Sequence, residues 1–296
     1  MEAATWFNGS IRFANCLVYK KHYKGKLYSY DSVFHTGRYT EDHRVIFTSA
    51  GALLNGGSPK WEVATAGEYA KRHPNGAAVP SSGVYEGHNL VDLTSAEAQL
   101  LECARADAHI TENSLRWNFS KPRKVARCVA LIEHLNLPYS IAEKVRSNGK
   151  KVTRISLLDC EVRKKLVALL GEGRSKSFGP WLLNLSLEAR RAVLEETKYW
   201  DGVCTSQEED SKAQTVVSSA KQSDLEWLQI AAVCSGYTST FSGMQPNTRG
   251  FSLETSVLGR TTIRNRLQVK TSKPPTVESF EGEVACLNTE DGFFLV

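Results

Sequence analysis

The chain has 296 residues, 41% of them hydrophobic and 23% charged, enough to bury a core and unlike a disordered or collagen-like polymer. No run of eighteen apolar residues occurs and the opening MEAATWFNGS has no signal-peptide core, so neither membrane spanning nor secretion is expected. Seven scattered cysteines without C-x-x-C spacing argue against a disulfide framework or zinc finger and suit a reducing, cytoplasmic compartment.

Charge is informative only once it is located. The 37 Lys and Arg exceed the 32 Asp and Glu by five. From Arg116 to Lys176, however, 15 basic residues stand against 5 acidic ones, a net +10, which leaves −5 for everything else. A segment this basic in a nearly balanced chain fits a face built for a polyanion, although solvated lysines on helix surfaces would give the same count.

Residues 1–92 read as short strands and turns. FANCLVYKKH, KLYSYDSVFH, HRVIFTS and KWEVAT alternate or are β-branched, with turn signals at Lys24-Gly25, Asn55-Gly56-Gly57 and His73-Pro74-Asn75-Gly76. The pattern changes at LTSAEAQLLECARADA, a helix capped by Thr94 or Ser95. SLRWNFS then reads as a strand, and PRKVARCVALIEHLNL as a helix with proline in its first turn. YSIAEKVR and KKVTRISLL flank Asn148-Gly149, a hairpin signal, and DCEVRKKLVALLG is a helix ended by glycine.

The same order recurs with SLEARRAVLEETKYWDG as helix, AQTVVSS as strand, SDLEWLQIAAVCSG as helix, and TSTFSGM and GFSLETSVL as a strand pair. This is a duplication with a period of about 100 residues. From about residue 260 the chain returns to β character with TTIRNRLQVK, EGEVACLN and GFFLV.

Each repeat's first helix ends on an aspartate, Asp107 in LLECARADA and Asp201 in LEETKYWDG. A carboxylate is unfavourable at a helix C-terminus, where the macrodipole is negative. If the two helices pack side by side about a pseudo-twofold axis, both carboxylates converge and call for a divalent cation, Mg²⁺ above all. A turn-forming Asp after each helix is the alternative, above all at Asp201-Gly202. Lys121 and Lys221 each stand just before the second helix of their repeat, where an ammonium can stabilise charge on a phosphate or simply contact a nucleic-acid backbone.

These helices and the elements after them resemble the LAGLIDADG homing endonucleases in their single-chain, two-repeat form. The resemblance implies an α+β fold, a duplicated αββαββ saddle over residues 93–259, with repeats at 93–180 and 181–259. It implies a monomer with internal pseudo-twofold symmetry that grips double-stranded DNA and makes a double-strand break. Asp107 and Asp201 would hold Mg²⁺ or another divalent cation, with Lys121 and Lys221 beside them. Arg116, Asn118, Arg146, Lys150, Lys151 and Arg154 are the candidate DNA contacts, since Arg and Asn read G and A edges and Lys neutralises phosphate.

The β-rich ends, 1–92 and 260–296, carry a second resemblance. Thr40-Glu41-Asp42-His43 is similar to the T-x-x-H block of Hint domains, the protein-splicing fold of inteins, and EGEVACLNTEDGFFLV to their penultimate block. The implied layout is an all-β Hint domain interrupted by the endonuclease, with His43 polarising the upstream junction and Thr40 beside it. Splicing needs a nucleophile at the first residue and asparagine at the last, whereas this sequence runs from Met1 to Val296. The expectation is therefore a mobile element of phage or bacterial kind, not competent for splicing as given, with Thr40 and His43 vestigial. The alternatives are a decayed DNA-binding protein, acting as repressor or RNA-splicing cofactor, and a trimmed self-splicing intein.

Overall fold

The computed structural model describes residues 2–32, 35–49, 59–87, 90–145, 149, 151–171, 176–205, 214–246, 257–264, 269–271 and 273–288. In chain order the elements are β1 (Glu2–Phe7), β2 (Ser10–Asn15), β3 (Leu17–Ser32), β4 (His35–Thr40), β5 (Arg44–Phe47), β6 (Glu62–Thr65), α1 (Ala66–Arg72) and β7 (Ala78–Pro80). Then come α2 (Ser95–Asp107), β8 (His109–Thr111), β9 (Ser114–Phe119), α3 (Pro122–His134), β10 (Tyr139–Val145), β11 (Lys151–Leu157) and α4 (Glu161–Leu170). The series α5 (Leu187–Trp200), β12 (Gly202–Cys204), β13 (Gln214–Ser219), α6 (Gln222–Val233), β14 (Thr238–Phe241), β15 (Gln245–Pro246) and β16 (Val257–Arg264) follows, and β17 (Val269–Thr271) and β18 (Thr276–Asn288) close the chain. The fold is mixed α and β.

Two compact units share the chain. One is discontinuous, made of Met1–Tyr85, Val233–Thr240 and Arg266–Val296; the other holds Glu86–Ala232 and Phe241–Asn265. In the discontinuous unit, β1 and β2 form a hairpin whose two loop residues, Asn8 and Gly9, both have positive φ (47° and 89°). That is the Asn-Gly type I′ turn, whose twist matches the flanking strands. The long strands β3 and β18 pair over thirteen residues, with β4 on the other edge of β3. A core of Tyr28, Tyr30, Val45, Phe47, Tyr69 and Val79 lies beneath them, and α1 enters it through a capping box of Thr65 and Glu68.

In the other unit the two repeats use the same local solutions. A capping box of Thr94 and Glu97 starts α2, and the Ser186 side chain starts α5 by accepting the Ala189 N–H at 3.2 Å. The first sheet has antiparallel order β10-β11-β9-β8. In β9, Leu115, Trp117 and Phe119 are buried, so pleating turns Arg116 and Asn118 to the other face. The Trp117 indole donates to the Cys103 carbonyl at 3.1 Å and ties this sheet to α2. In the second repeat β12, β13 and β16 lie side by side in that order, as β8, β9 and β11 do in the first.

The helices α2 and α5 pack against each other more extensively than any other helix pair among the described residues. Leu100, Leu101, Cys103 and Ala104 are buried on one, and Ala189, Ala192, Val193 and Leu194 on the other. Their ends differ. A Cβ on Gly202 would stand 2.9 Å from the Thr197 carbonyl oxygen and 3.1 Å from the Lys198 Cα, whereas Ala108 sits in extended backbone (φ −76°, ψ 152°). Tight local packing accounts for glycine at one end and alanine at the other.

Two boundaries differ from the sequence reading. Residues 260–264 pair with β13 as part of β16, and Val233–Thr240 fall in the discontinuous unit. Alternation identifies a strand but cannot say which sheet it joins, and register decides that. The Asn55-Gly56-Gly57 turn, most of GFSLETSVL and the end of the chain after Asn288 lie outside the described residues.

Candidate active site and nucleic-acid interface

Asp107 is the last residue of α2 and Asp201 caps the C-terminus of α5. Cations offset the negative helix ends. Lys124 forms an ion pair with Asp107, and Arg105 Nη2 donates to Asp201 Oδ2 at 2.8 Å. The Lys176 ammonium donates to the Ala104 carbonyl at 3.0 Å and to that of Ala108. Burial, and then the nearby Arg105 guanidinium, push the Lys176 pKa down to about 8, against the pull of both Asp107 and Asp201. Arg105, two residues before Asp107 on α2, meets Asp201 at the end of α5, so the two helix C-termini lie at the same end of the pair.

Five residues before each aspartate stands a glutamate, Glu102 in α2 and Glu196 in α5, at matching positions in the two helices. Both are essentially inaccessible to solvent. Arg105 grips Glu102 with two hydrogen bonds of 2.7 and 2.9 Å and lies over the Phe178 ring at 4.0 Å. Arg127 of α3 grips Glu196 in the same two-pronged way, one bond measuring 2.9 Å, and the Trp200 indole donates to Glu196 at 3.0 Å. Burial outweighs the Arg105 charge and pushes the Glu102 carboxyl up to about 7.

The repeats are not electrostatically equivalent. One hundred residues after Lys124 stands Asp224, buried, accepting the Phe178 N–H at 3.1 Å and raised in pKa by its burial. The second repeat therefore lacks the lysine that pairs with the aspartate in the first, and Arg105 reaches across from α2 to Asp201.

The lysine that meets Asp107 is thus Lys124 and not Lys121, which is the exposed N-cap of α3. Lys221 lies before α6, with its ammonium donating to the Ser177 hydroxyl at 2.9 Å. Sequence reasoning missed Lys124, Lys176 and Arg105. One signal was present for Lys124: a lysine in the first turn of a helix is misplaced against the macrodipole unless a carboxylate faces it. Lys176, far from α2 in sequence, gave none.

Among the described residues no group of three or more His, Cys, Asp or Glu side chains is arranged to hold a metal ion. The donor set still fits Mg²⁺, which keeps several waters and is bound through one or two carboxylates plus substrate phosphates. Asp107 and Asp201 are partly exposed, with side chains at 29% and 39%, and each is paired with one cationic side chain, Lys124 and Arg105 respectively.

The candidate DNA contacts divide by face. Arg116, Asn118 and Arg154 share one face of the first sheet, Asn118 pairing in register with Arg154, whose Nε donates to Asn118 Oδ1 at 3.2 Å. Lys151 has the opposite parity, with Thr153 and Ile155, and lines a cleft of about 450 Å³ with Phe119, Val125 and Val129. Arg146 and Lys150 lie outside the described residues. In the second sheet Ser218 pairs with Arg260, the positions that match Asn118 and Arg154. Arg260 is exposed opposite the buried Thr261 and Ile263, a further candidate contact beyond the ends of the predicted repeat.

In the discontinuous unit Thr40 and His43 stand at either end of the turn between β4 and β5. The Thr40 hydroxyl donates to Asp42 Oδ1 at 2.5 Å, the His43 N–H returns to the Thr40 carbonyl at 3.0 Å, and the His43 ring stacks on Tyr39 with centroids 4.7 Å apart. Burial lowers the His43 pKa.

Neither a protein-family model nor a curated protein matches the chain. Solved structures do. The homing endonuclease I-WcaI bound to its DNA recognition sequence aligns over 58% of this chain and 77% of its own, with 15% identity and a TM-score of 0.40. The N-terminal LAGLIDADG domain of DUF199/WhiA aligns over 60% and 82%, at 11% identity and a TM-score of 0.34. I-DmoI in complex with DNA and Ca aligns over 58% and 83%, at 12% identity and a TM-score of 0.37.

Proposed function

We propose that the unit built on α2 and α5 is a sequence-specific, Mg²⁺-dependent DNA endonuclease of the homing type, acting as a monomer with internal pseudo-twofold symmetry inside the cell. The observation that supports this reading is the ion pair between Arg105, two residues before Asp107 on α2, and Asp201 at the end of α5, the two packed helices coming from matching repeats. Asp107 and Asp201 would hold the cation. When bound, a divalent ion activates water and stabilises the attacking and leaving oxygens of the phosphodiester. Lys124 and Lys176 stand where they can stabilise charge developing on the phosphate. Arg116, Asn118, Arg154 and Arg260 present the groups that read base edges, and the basic first repeat supplies most of the salt-dependent affinity.

The test is selection of a bound site from randomised duplexes, followed by incubation of a supercoiled plasmid carrying it with Mg²⁺. The wild type is expected to linearise the plasmid, whereas Asp107→Asn and Asp201→Asn bind it without linearising it. Wild-type binding with no Mg²⁺-dependent strand scission would overturn the nuclease reading. That outcome would leave a DNA-binding repressor or RNA-splicing cofactor, a reading favoured by the ion pairs that already neutralise both aspartates.

The discontinuous unit, with its β-rich ends brought together from both sides of the nuclease in the sequence, supports a Hint-like, intein-derived frame in which the Thr40–His43 turn is the remnant of the junction site. Mass spectrometry of a version extended at both ends tests this frame, which is refuted if the Thr40–His43 turn can be altered without changing any cleavage at the upstream junction.

A further inference from the structure

We infer that the two aspartates are unequal ligands. Asp107 takes a divalent cation first, and Arg105 acts as a positioning residue that holds Asp201 in an ion pair and weakens its hold on metal. This rests on the endonuclease reading above and goes beyond it, since that reading treats the two positions alike.

The asymmetry lies in the partners. Asp107 is paired with Lys124, a compact charge on a four-carbon stem whose rotatable donors re-aim easily. The Lys124 side chain is 13% exposed and lies toward the Trp200 ring, 5.6 Å from its centroid. A cation can displace this ammonium by a rotation of the stem. Arg105 has no such freedom. Its side chain is 7% exposed, and the guanidinium is clamped by two bonds to the inaccessible Glu102, seated on Phe178 and bonded at 2.8 Å to Asp201. A planar fork locked on one carboxylate keeps its remaining donors aimed at the other.

The inequality is written into the repeats. The residue matching Arg105 in α5 is Tyr199, and the residue matching Lys124 in α6 is Asp224. Neither matching position therefore carries the cation that its counterpart supplies in the other repeat.

The experiment follows the carboxylates directly. The full chain is labelled at the aspartate carboxyl carbons, the Asp107 and Asp201 resonances are assigned from Asp107→Asn and Asp201→Asn, and Mn²⁺ is titrated as a paramagnetic probe. The Asp107 signal is expected to broaden at an Mn²⁺ concentration at least tenfold below that needed for Asp201. In the double variant Glu102→Gln with Arg105→Met, which removes the clamp without leaving a buried charge unpaired, the two midpoints are expected to come within about threefold; Arg105→Lys, which keeps the charge but loses the fork, should fall between. Equal midpoints in the wild type, or an unchanged gap in both Arg105 variants, would overturn the inference while leaving the endonuclease reading in place. Failure of Mn²⁺ to broaden either signal would overturn both.

Discussion

Arg127→Ala tests how the buried polar network holds α3 against α5. Glu196 is inaccessible to solvent, and its carboxylate is satisfied by two bonds from Arg127 and one from Trp200. Removing Arg127 leaves a buried charge with a single neutral donor. Breaking a buried pair from one side costs about 3–5 kcal/mol. The lower figure applies here, because the Arg127 side chain is 29% exposed and Trp200 keeps its bond. About 3 kcal/mol lowers the melting temperature of a unit this size by roughly 6–12 °C.

Differential scanning calorimetry of the full chain at neutral pH measures the shift. The paired change Arg127→Met with Glu196→Gln removes charge from both partners while retaining an acceptor for Trp200, so it is expected to recover most of the loss, since a buried ion pair is often replaceable by neutral residues at little cost. A loss below about 1 kcal/mol in Arg127→Ala, or an equal loss in the paired variant, would refute the claim that the cost comes from an uncompensated Glu196 charge.

Stability should also depend on pH through Glu102. Its carboxyl is raised from an ordinary 4.5 to about 7 in the folded chain, so its contribution is complete below the unfolded value and is lost as pH rises through about 7; melting curves of Glu102→Gln against wild type between pH 4.5 and 7.5 should show a flatter dependence in the variant. Gly202→Ala is expected to cost about 1–3 kcal/mol, because its Cβ would press on the Thr197 carbonyl and the Lys198 backbone, and chemical denaturation would measure it. Arg116→Ala with Arg154→Ala should weaken binding to the selected duplex and reduce the slope of log affinity against log salt by about one for each phosphate left without its cation. A slope unchanged at constant site preference would remove both from the interface.

What the sequence determined by itself is local. The Thr94–Glu97 box, proline at the start of α3, Gly171 after α4 and the alternation of SLRWNFS each specify an element from its own residues, because capping, backbone restriction and pleating act over a few positions. The spacing of Asp107 and Asp201 and the excess charge of the first repeat were also visible in the string. Tertiary structure decided everything that depends on proximity without sequence periodicity. It chose Lys124 over Lys121 as the partner of Asp107, brought Lys176 to the carbonyls at the end of α2, and turned Lys151 away from the face of Arg116 and Arg154. It also added β16, with Arg260, to the second sheet. The physical reason is the same in each case: an ion pair or a strand register is set by which surfaces meet in the packed chain, and Arg105 reaching from one repeat to the aspartate of the other has no counterpart in local sequence.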